Sequence, residues 1–155
     1  MSGKIEARLQ ELGLDIPTPA APAANYAPFV VSGRLVFLAG QITLWNGELK
    51  HVGKLGAEFG VKEGQEAARV CALNLIAQAK AACGGDLDRV VRWIRISGFI
   101  NGTPDFTDQA KVMNGASDLL VQVFGERGHH VRTSVGVAAL PFNVAVEVDG
   151  VLEIV

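Results

Sequence analysis

The sequence predicts an α+β fold in which two long helices pack on one face of a mixed β-sheet. Three observations carry that prediction. Short apolar runs are separated by Ser32-Gly33-Arg34 and by Asn46-Gly47, turn sequences of the kind that close hairpins. Two longer segments, residues 62–83 and the segment from Pro104 to Phe124, carry apolar residues at helical spacing. The stretch HHVRTSVGVAALPFNVAVEVDG, residues 129–150, is almost wholly small or aliphatic and reads as a buried pair of strands in a β-hairpin. Hairpins mixed with long helices form layers, because each element must bury one apolar face.

Residues 3–13 place Ile5, Leu9 and Leu12 near helical spacing and form a short peripheral helix. IPTPAAPAANYAP follows with four prolines and five alanines, which favours extended backbone and forbids a central strand. Residues 1–25 are read as an N-terminal helix and Pro/Ala-rich connector belonging to a single domain of 1–155, a length that suits one core. FVV and LVFLAG make the first hairpin, and GQITLWNGEL turns again at Asn46-Gly47. In the first long helix Ala67, Val70, Cys71, Leu73, Leu75, Ile76 and Ala79 form a broad apolar stripe, and Gly84-Gly85 ends it. RVVRWIRISGFI is a strand. Thr103 is expected to cap, and Pro104 to open, the second long helix, with Gly125 just past its end. The predicted order is αββ(β)αβαββ.

Strand parity divides residues 131–139 into two faces. Val131, Thr133, Val135, Val137 and Ala139 are the bulky set, expected beneath the helices, while Arg132, Ser134, Gly136 and Ala138 face the other way. Small residues on that second face would admit another subunit. A hydrophobic content of 49% against 19% charged residues supplies apolar surface for such an interface, so a homo-oligomer is expected.

Composition also narrows the function classes. No apolar run approaches the roughly 18 residues needed to cross a bilayer, and MSGKIEARLQELGL lacks the apolar core of a secretory signal, so a cytoplasmic protein is expected. Cys71 and Cys83 lie over three turns apart on one helix and read as buried free thiols. The net charge is −2 and the basic residues are scattered, so nucleic-acid binding has no electrostatic support. His129 and His130 point to opposite sides of an extended chain and have no other ligand cluster nearby, so no metal site is expected, and both read as exposed loop histidines.

Arg132 and Glu147 are the two charges that the apolar 129–150 stretch does not explain. An unpaired arginine in apolar surroundings costs several kcal/mol, so it requires an anion or solvent. A structural salt bridge to Glu147 is the plain reading. If residues 131–148 form a hairpin with an even loop, however, Glu147 falls on the same face but opposite Gly136, roughly 13 Å along the strand from Arg132. The two charges would then face one gap, floored by Ser134 and Gly136. A guanidinium there could hold a small carboxylate bidentately, and a carboxylate beside water could serve as general acid and base.

The run HVRTSVGVAALPFNVAVEVDGVLEIV resembles the C-terminal signature of the reactive intermediate deaminase family (RidA, also called YjgF). That signature is an Arg-x-x-Val-x-Val-x-x-Leu-Pro run followed by a Val/Ile-Glu-Val/Ile strand. LVFLAGQITLWNGEL is similar to the family's N-terminal strand, which ends in Ser/Ala-Gly-Gln before a Gly-Glu turn. The likeness spans residues 26–155, and the variants GHHVR and VMNGASDLL resemble a divergent branch labelled YjgF-like or endoribonuclease L-PSP.

The resemblance implies a chorismate-mutase-like α+β fold, a homotrimer with clefts between subunits, and cofactor-free hydrolysis of 2-imino acids or enamines to 2-keto acids and ammonia. By position, Arg132 would bind the substrate carboxylate, and Glu147 would orient the water and shuttle its proton. Ser134 stands where deaminase members usually carry cysteine, and Ala39 where many carry serine. Tyr26 matches an aromatic position before the first strand, and either Asn114 or Ser117 matches the helix asparagine that lines the cleft. Gly40 and Gln41, at a strand end, could offer backbone amides to an anion. Phe142 is a candidate wall of the cleft.

Three functions remain open on the sequence. They are an imine/enamine deaminase, a trimeric carboxylate-binding protein without turnover, and the endoribonuclease or translation inhibitor of the family label. The last has neither a basic groove nor an acid/base histidine pair behind it.

Overall fold

The computed structural model describes residues 3–22 and 24–155. Its elements are α1 (Lys4–Glu11), β1 (Phe29–Ser32), β2 (Leu35–Gln41), β3 (Leu44–Trp45), β4 (Glu48–Leu49), α2 (Val61–Ala82), β5 (Val90–Asn101), α3 (Gln109–Phe124), β6 (Val131–Val137) and β7 (Val146–Ile154). The main sheet runs β1-β2-β7-β5-β6, and all its pairs are antiparallel except β5 with β6. The fold is therefore the mixed α+β class predicted, with α2 and α3 on one face. Among the described residues, no helix is long and apolar enough to cross a membrane.

Local chemistry explains most of the boundaries. Gly33 (φ 61°) turns β1 into β2, and Asn46 (φ 47°) with Gly47 (φ 89°) closes the β3–β4 hairpin, both in the left-handed region that these residue types enter at low cost. Gly84 and Gly85 end α2 with φ of 66° and 97°. The second long helix starts later than expected. Pro104 lies in a turn closed by the Phe106 amide on the Thr103 carbonyl, Thr103 Oγ1 donates to Asp105, and α3 begins only at Gln109. Thr103 thus ties a turn instead of capping a helix.

The two long helices approach closely because both carry glycine at the contact. A Cβ on Gly115 of α3 would overlap the backbone carbonyl of Gln65 on α2, and one on Gly64 would press on Leu55 and Val112. Beneath them lies a core built on Trp93, Ile96, Leu75, Leu119 and Leu152, with Trp93 edge-on to Phe124 at 5.7 Å. Cys71 and Cys83 are both buried and free. The connector is less superficial than its composition suggests: Pro17 is buried, and the Ala20 carbonyl accepts from Gln78 of α2.

Two expectations about the 129–150 stretch are overturned. β6 and β7 do not form a hairpin, because β5 lies between them and hydrogen-bonds to both. The eight residues 138–145 step across β5, a span too long for the usual two- to five-residue hairpin loop. The faces of β6 are also reversed. Arg132 pairs with Ile96 and Ser134 with Gly98, and a side chain on Gly98 would collide with Met113 of α3, so Arg132 and Ser134 lie on the helix side. Val131 and Val135 are instead 60% and 43% exposed on the open face. The small residues of β6 and β5 admit α3, where the prediction had them admitting a second subunit.

Candidate functional site

Glu147 is held at a break in the sheet. Along β7 the residues Val146, Val148, Leu152 and Ile154 are buried under the helices, which turns Glu147 to the opposite face, where it is half-buried. The pairing of β2 with β7 loses register between Leu38 and Gln41, so Ala39 and Gly40 form an irregular step beside it. The missing side chain of Gly40 provides the space for the carboxylate: a Cβ there would stand 2.6 Å from Glu147 Oε1.

The carboxylate lines a cavity of about 360 Å³ whose walls include Tyr26, Ala39, Leu44, Pro22 and Phe142. It is the one carboxylate among the described lining residues. Burial, reinforced by the nearby charge of Asp149, holds its pKa above the ordinary carboxylate value. Phe142 reaches this cavity from a loop in which both Phe142 and Asn143 have positive φ. That loop is tied down from beneath. Asn101, fully buried at the end of β5, donates to Asn143 Oδ1 and to the Val144 carbonyl, each at 3.0 Å. Lys54 Nζ in turn donates to Asn101 Oδ1 at 2.6 Å and to the Ala138 carbonyl at 2.8 Å.

Arg132 is held by α3. Its Nη1 donates to Asn114 Oδ1 and Ser117 Oγ, each at 3.0 Å, and its Nη2 donates to the Ala110 carbonyl at 3.0 Å. Both helix residues left as alternatives by the sequence therefore touch the guanidinium, one turn apart on the same helix face. Of the five guanidinium donors, three are engaged, and Nε–H and one Nη2–H are left for a ligand. Ser134 lies two residues along on the same side of β6, and its hydroxyl is buried without a hydrogen-bond partner among the described residues.

One contributor was misread as an exposed loop residue. His130 is half-buried, with Nδ1 2.6 Å from the Gly128 carbonyl and Nε2 2.9 Å from Ser117 Oγ. A histidine directly preceding the strand that carries the arginine was the available signal, but only the packing of α3 brings Ser117 to it. His130 and Arg132 share a second, open cavity with Ser117 and Asp118. His129 is exposed.

The candidate residues thus divide into two clusters within one chain. Tyr26, Ala39, Gly40 and Glu147 line one cavity, and Arg132, Asn114, Ser117 and Ser134 gather around α3 and β6 on the other side of the sheet. Arg132 aligns through Ile96 with Gly150, two strands away. Glu147 is three residues further along, so the two Cα atoms are separated by roughly 10 Å across the sheet and roughly 10 Å along it. Ser134 does not lie between the two charges. The close trio of acidic residues Glu6, Asp86 and Asp88 borders neither cavity, and Asp88 there accepts from the Lys4 and Ile5 amides at the start of α1.

Residues 6–153 match the family described as YjgF/chorismate mutase-like, putative endoribonuclease. The chain is 49% identical over 154 residues to protein TCP17 of Trypanosoma cruzi, an alignment covering 99% of this chain and 96% of TCP17. Among solved structures it is similar to protein Atu1372 of Agrobacterium tumefaciens, at 45% identity and a TM-score of 0.91 over 97% of this chain and 92% of the other. It is also similar to a putative endoribonuclease of Shewanella oneidensis, at 37% identity and a TM-score of 0.94 over 98% of this chain and 100% of the other. The strand carrying Arg132, the strand carrying Glu147 and the glycine step beside it all fall within the matched residues, and the chain belongs to the YjgF (RidA) family.

Proposed function

We propose that the protein is an imine/enamine deaminase that hydrolyses 2-imino acids to 2-keto acids and ammonia in a cleft between two copies of the chain. The observation that carries this reading is the state of Arg132. α3 fixes its guanidinium through three hydrogen bonds and leaves two donors, enough to take a substrate carboxylate bidentately. Because Arg132 and Glu147 lie on opposite faces of one sheet, a site using both is completed by a second copy. The open sheet face, with Phe37, Val131 and Val135 exposed at 46%, 60% and 43%, offers the apolar surface for that association, and a closed trimer is the proposed assembly.

In this cleft Arg132 anchors the carboxylate and directs the C=N carbon toward Glu147 of the neighbouring copy. Water attacks that carbon and forms the C–O bond. Its proton passes to Glu147 and on to the nitrogen. The carbinolamine then collapses: its hydroxyl proton passes through Glu147 to the amino group, the C–N bond breaks, ammonia leaves and the keto group remains. A carboxylate with a raised pKa suits this exchange, since it takes a proton from the attacking water more readily than an ordinary carboxylate and can still pass it to the more basic nitrogen. No thiol is required, so Ser134 in place of cysteine is compatible with water attack.

The test is to generate imino acids in situ with an amino-acid oxidase and to follow loss of the imine with and without the protein. Faster loss that disappears in Arg132→Ala is expected. Carboxylate binding that depends on Arg132, without acceleration for any of several side chains, would replace the deaminase with a binding protein. An affinity for RNA that falls steeply with salt would instead favour the nuclease reading.

A further inference from the structure

We propose that His130, acting through the Ser117 hydroxyl, is a positioning residue that keeps the Arg132 guanidinium aimed at its carboxylate ligand. This rests on the reading of Arg132 as the carboxylate anchor. The direction of each hydrogen bond in the chain is set by chemistry. The Gly128 carbonyl can only accept, so His130 Nδ1 carries a proton and donates to it at 2.6 Å. In the neutral ring Nε2 is then an acceptor, and it takes the single Ser117 O–H at 2.9 Å. With its hydrogen committed, Ser117 Oγ presents its lone pairs to Arg132 Nη1 at 3.0 Å. The result is a one-way chain from Arg132 to Ser117 to His130 to Gly128, which keeps the Ser117 lone pairs turned to Nη1 beside the bond that Nη1 makes to Asn114.

Protonation of His130 reverses this order. Nε2 becomes a donor, the Ser117 hydrogen loses its acceptor, and a second positive charge appears beside the guanidinium. The groups that face the ring are Arg132 on β6, Asp118 on α3 and the adjacent His129. Burial, together with the charges of Arg132 and His129, lowers the pKa of His130 despite the opposing bond to Gly128. At neutral pH the ring is therefore neutral and the chain is intact. Acidification disrupts it and weakens carboxylate binding.

The test uses the full-length protein and 2-oxobutanoate, a 2-keto acid product, as the ligand in calorimetric titrations from pH 5 to 8. Wild type should bind it, and Arg132→Ala should not; if wild type does not bind, the reading of Arg132 as a carboxylate anchor fails. Given that binding, His130→Ala should weaken affinity about fivefold at pH 7.5, the scale of one lost hydrogen bond between neutral groups, and raise KM with little change in kcat. His130→Gln keeps an acceptor for Ser117 but cannot titrate, so it should restore affinity at pH 7.5 and abolish the loss of affinity on acidification. Unchanged affinity in His130→Ala, or an acid loss that persists in His130→Gln, would overturn the role of His130 while leaving that of Arg132 standing.

Discussion

The carboxylate of Glu147 occupies the space that a side chain on Gly40 would fill. A Cβ at that position would stand 2.6 Å from Oε1 and 3.1 Å from the carboxyl carbon. Gly40→Ala should therefore displace the acid without touching the core. The expected outcome is a fall in kcat of about a hundredfold, the scale of a misplacement near 1 Å, with little change in Tm. Steady-state kinetics and thermal denaturation of the same preparation check it.

Glu147→Gln should sharply slow turnover and yet stabilise the chain at neutral pH. The folded-state pKa of Glu147 is raised, so between the unfolded and folded values the native state binds more protons than the unfolded one, and stability falls as pH rises through that window. Above it the folded protein carries a half-buried charge that glutamine lacks. The variant's Tm should exceed that of wild type at pH 7.5, the difference should shrink toward pH 4, and kcat should fall by about two to four orders of magnitude. A Tm difference that grows on acidification would contradict the assignment.

Phe37→Asp places a charge on the open face of the sheet, where Phe37 is 46% exposed and pairs with Val151. If copies associate through this face, the substitution should yield a folded monomer with unchanged far-ultraviolet circular dichroism. Because the proposed cleft takes Arg132 and Glu147 from different copies, activity should be lost along with assembly. Sedimentation velocity and the imine assay together decide the point, and an active monomer would argue against a shared site.

Gly115→Ala sets two effects against each other. Alanine gains about 1 kcal/mol over glycine in helix propensity, but its Cβ would overlap the Gln65 carbonyl on α2, and overpacking against backbone costs about 3 kcal/mol. The clash wins, so a net loss of about 2 kcal/mol and a Tm lower by about 4–8 °C are expected in thermal denaturation.

Much of this architecture was legible residue by residue. Gly33, Asn46-Gly47 and Gly84-Gly85 are punctuation whose backbone requirements are local, and the structure has them at turns and at a helix end. The chemistry-bearing residues could also be named, because Arg132 and Glu147 are charges in apolar strands and their motif is specific. Their arrangement could not. Alternation along 131–137 states which residues share a face but not which face the helices cover, and two adjacent strands in sequence carry no mark that a third lies between them. His130 was misread for the same reason: its partner Ser117 is thirteen residues away on a helix that packs over it.

The sequence by itself therefore determined the family, the order of the helices and of the main-sheet strands, the turns and the identity of the charged residues, since each follows from local backbone preference or from a short motif. Only the tertiary structure decided that β5 separates β6 from β7, that α3 rather than a neighbouring subunit takes up the small residues of β6, and that Arg132 and Glu147 lie on opposite faces. Those outcomes depend on which surfaces pack together, and packing is settled by the fit of residues distant in sequence, such as Met113 filling the space above Gly98.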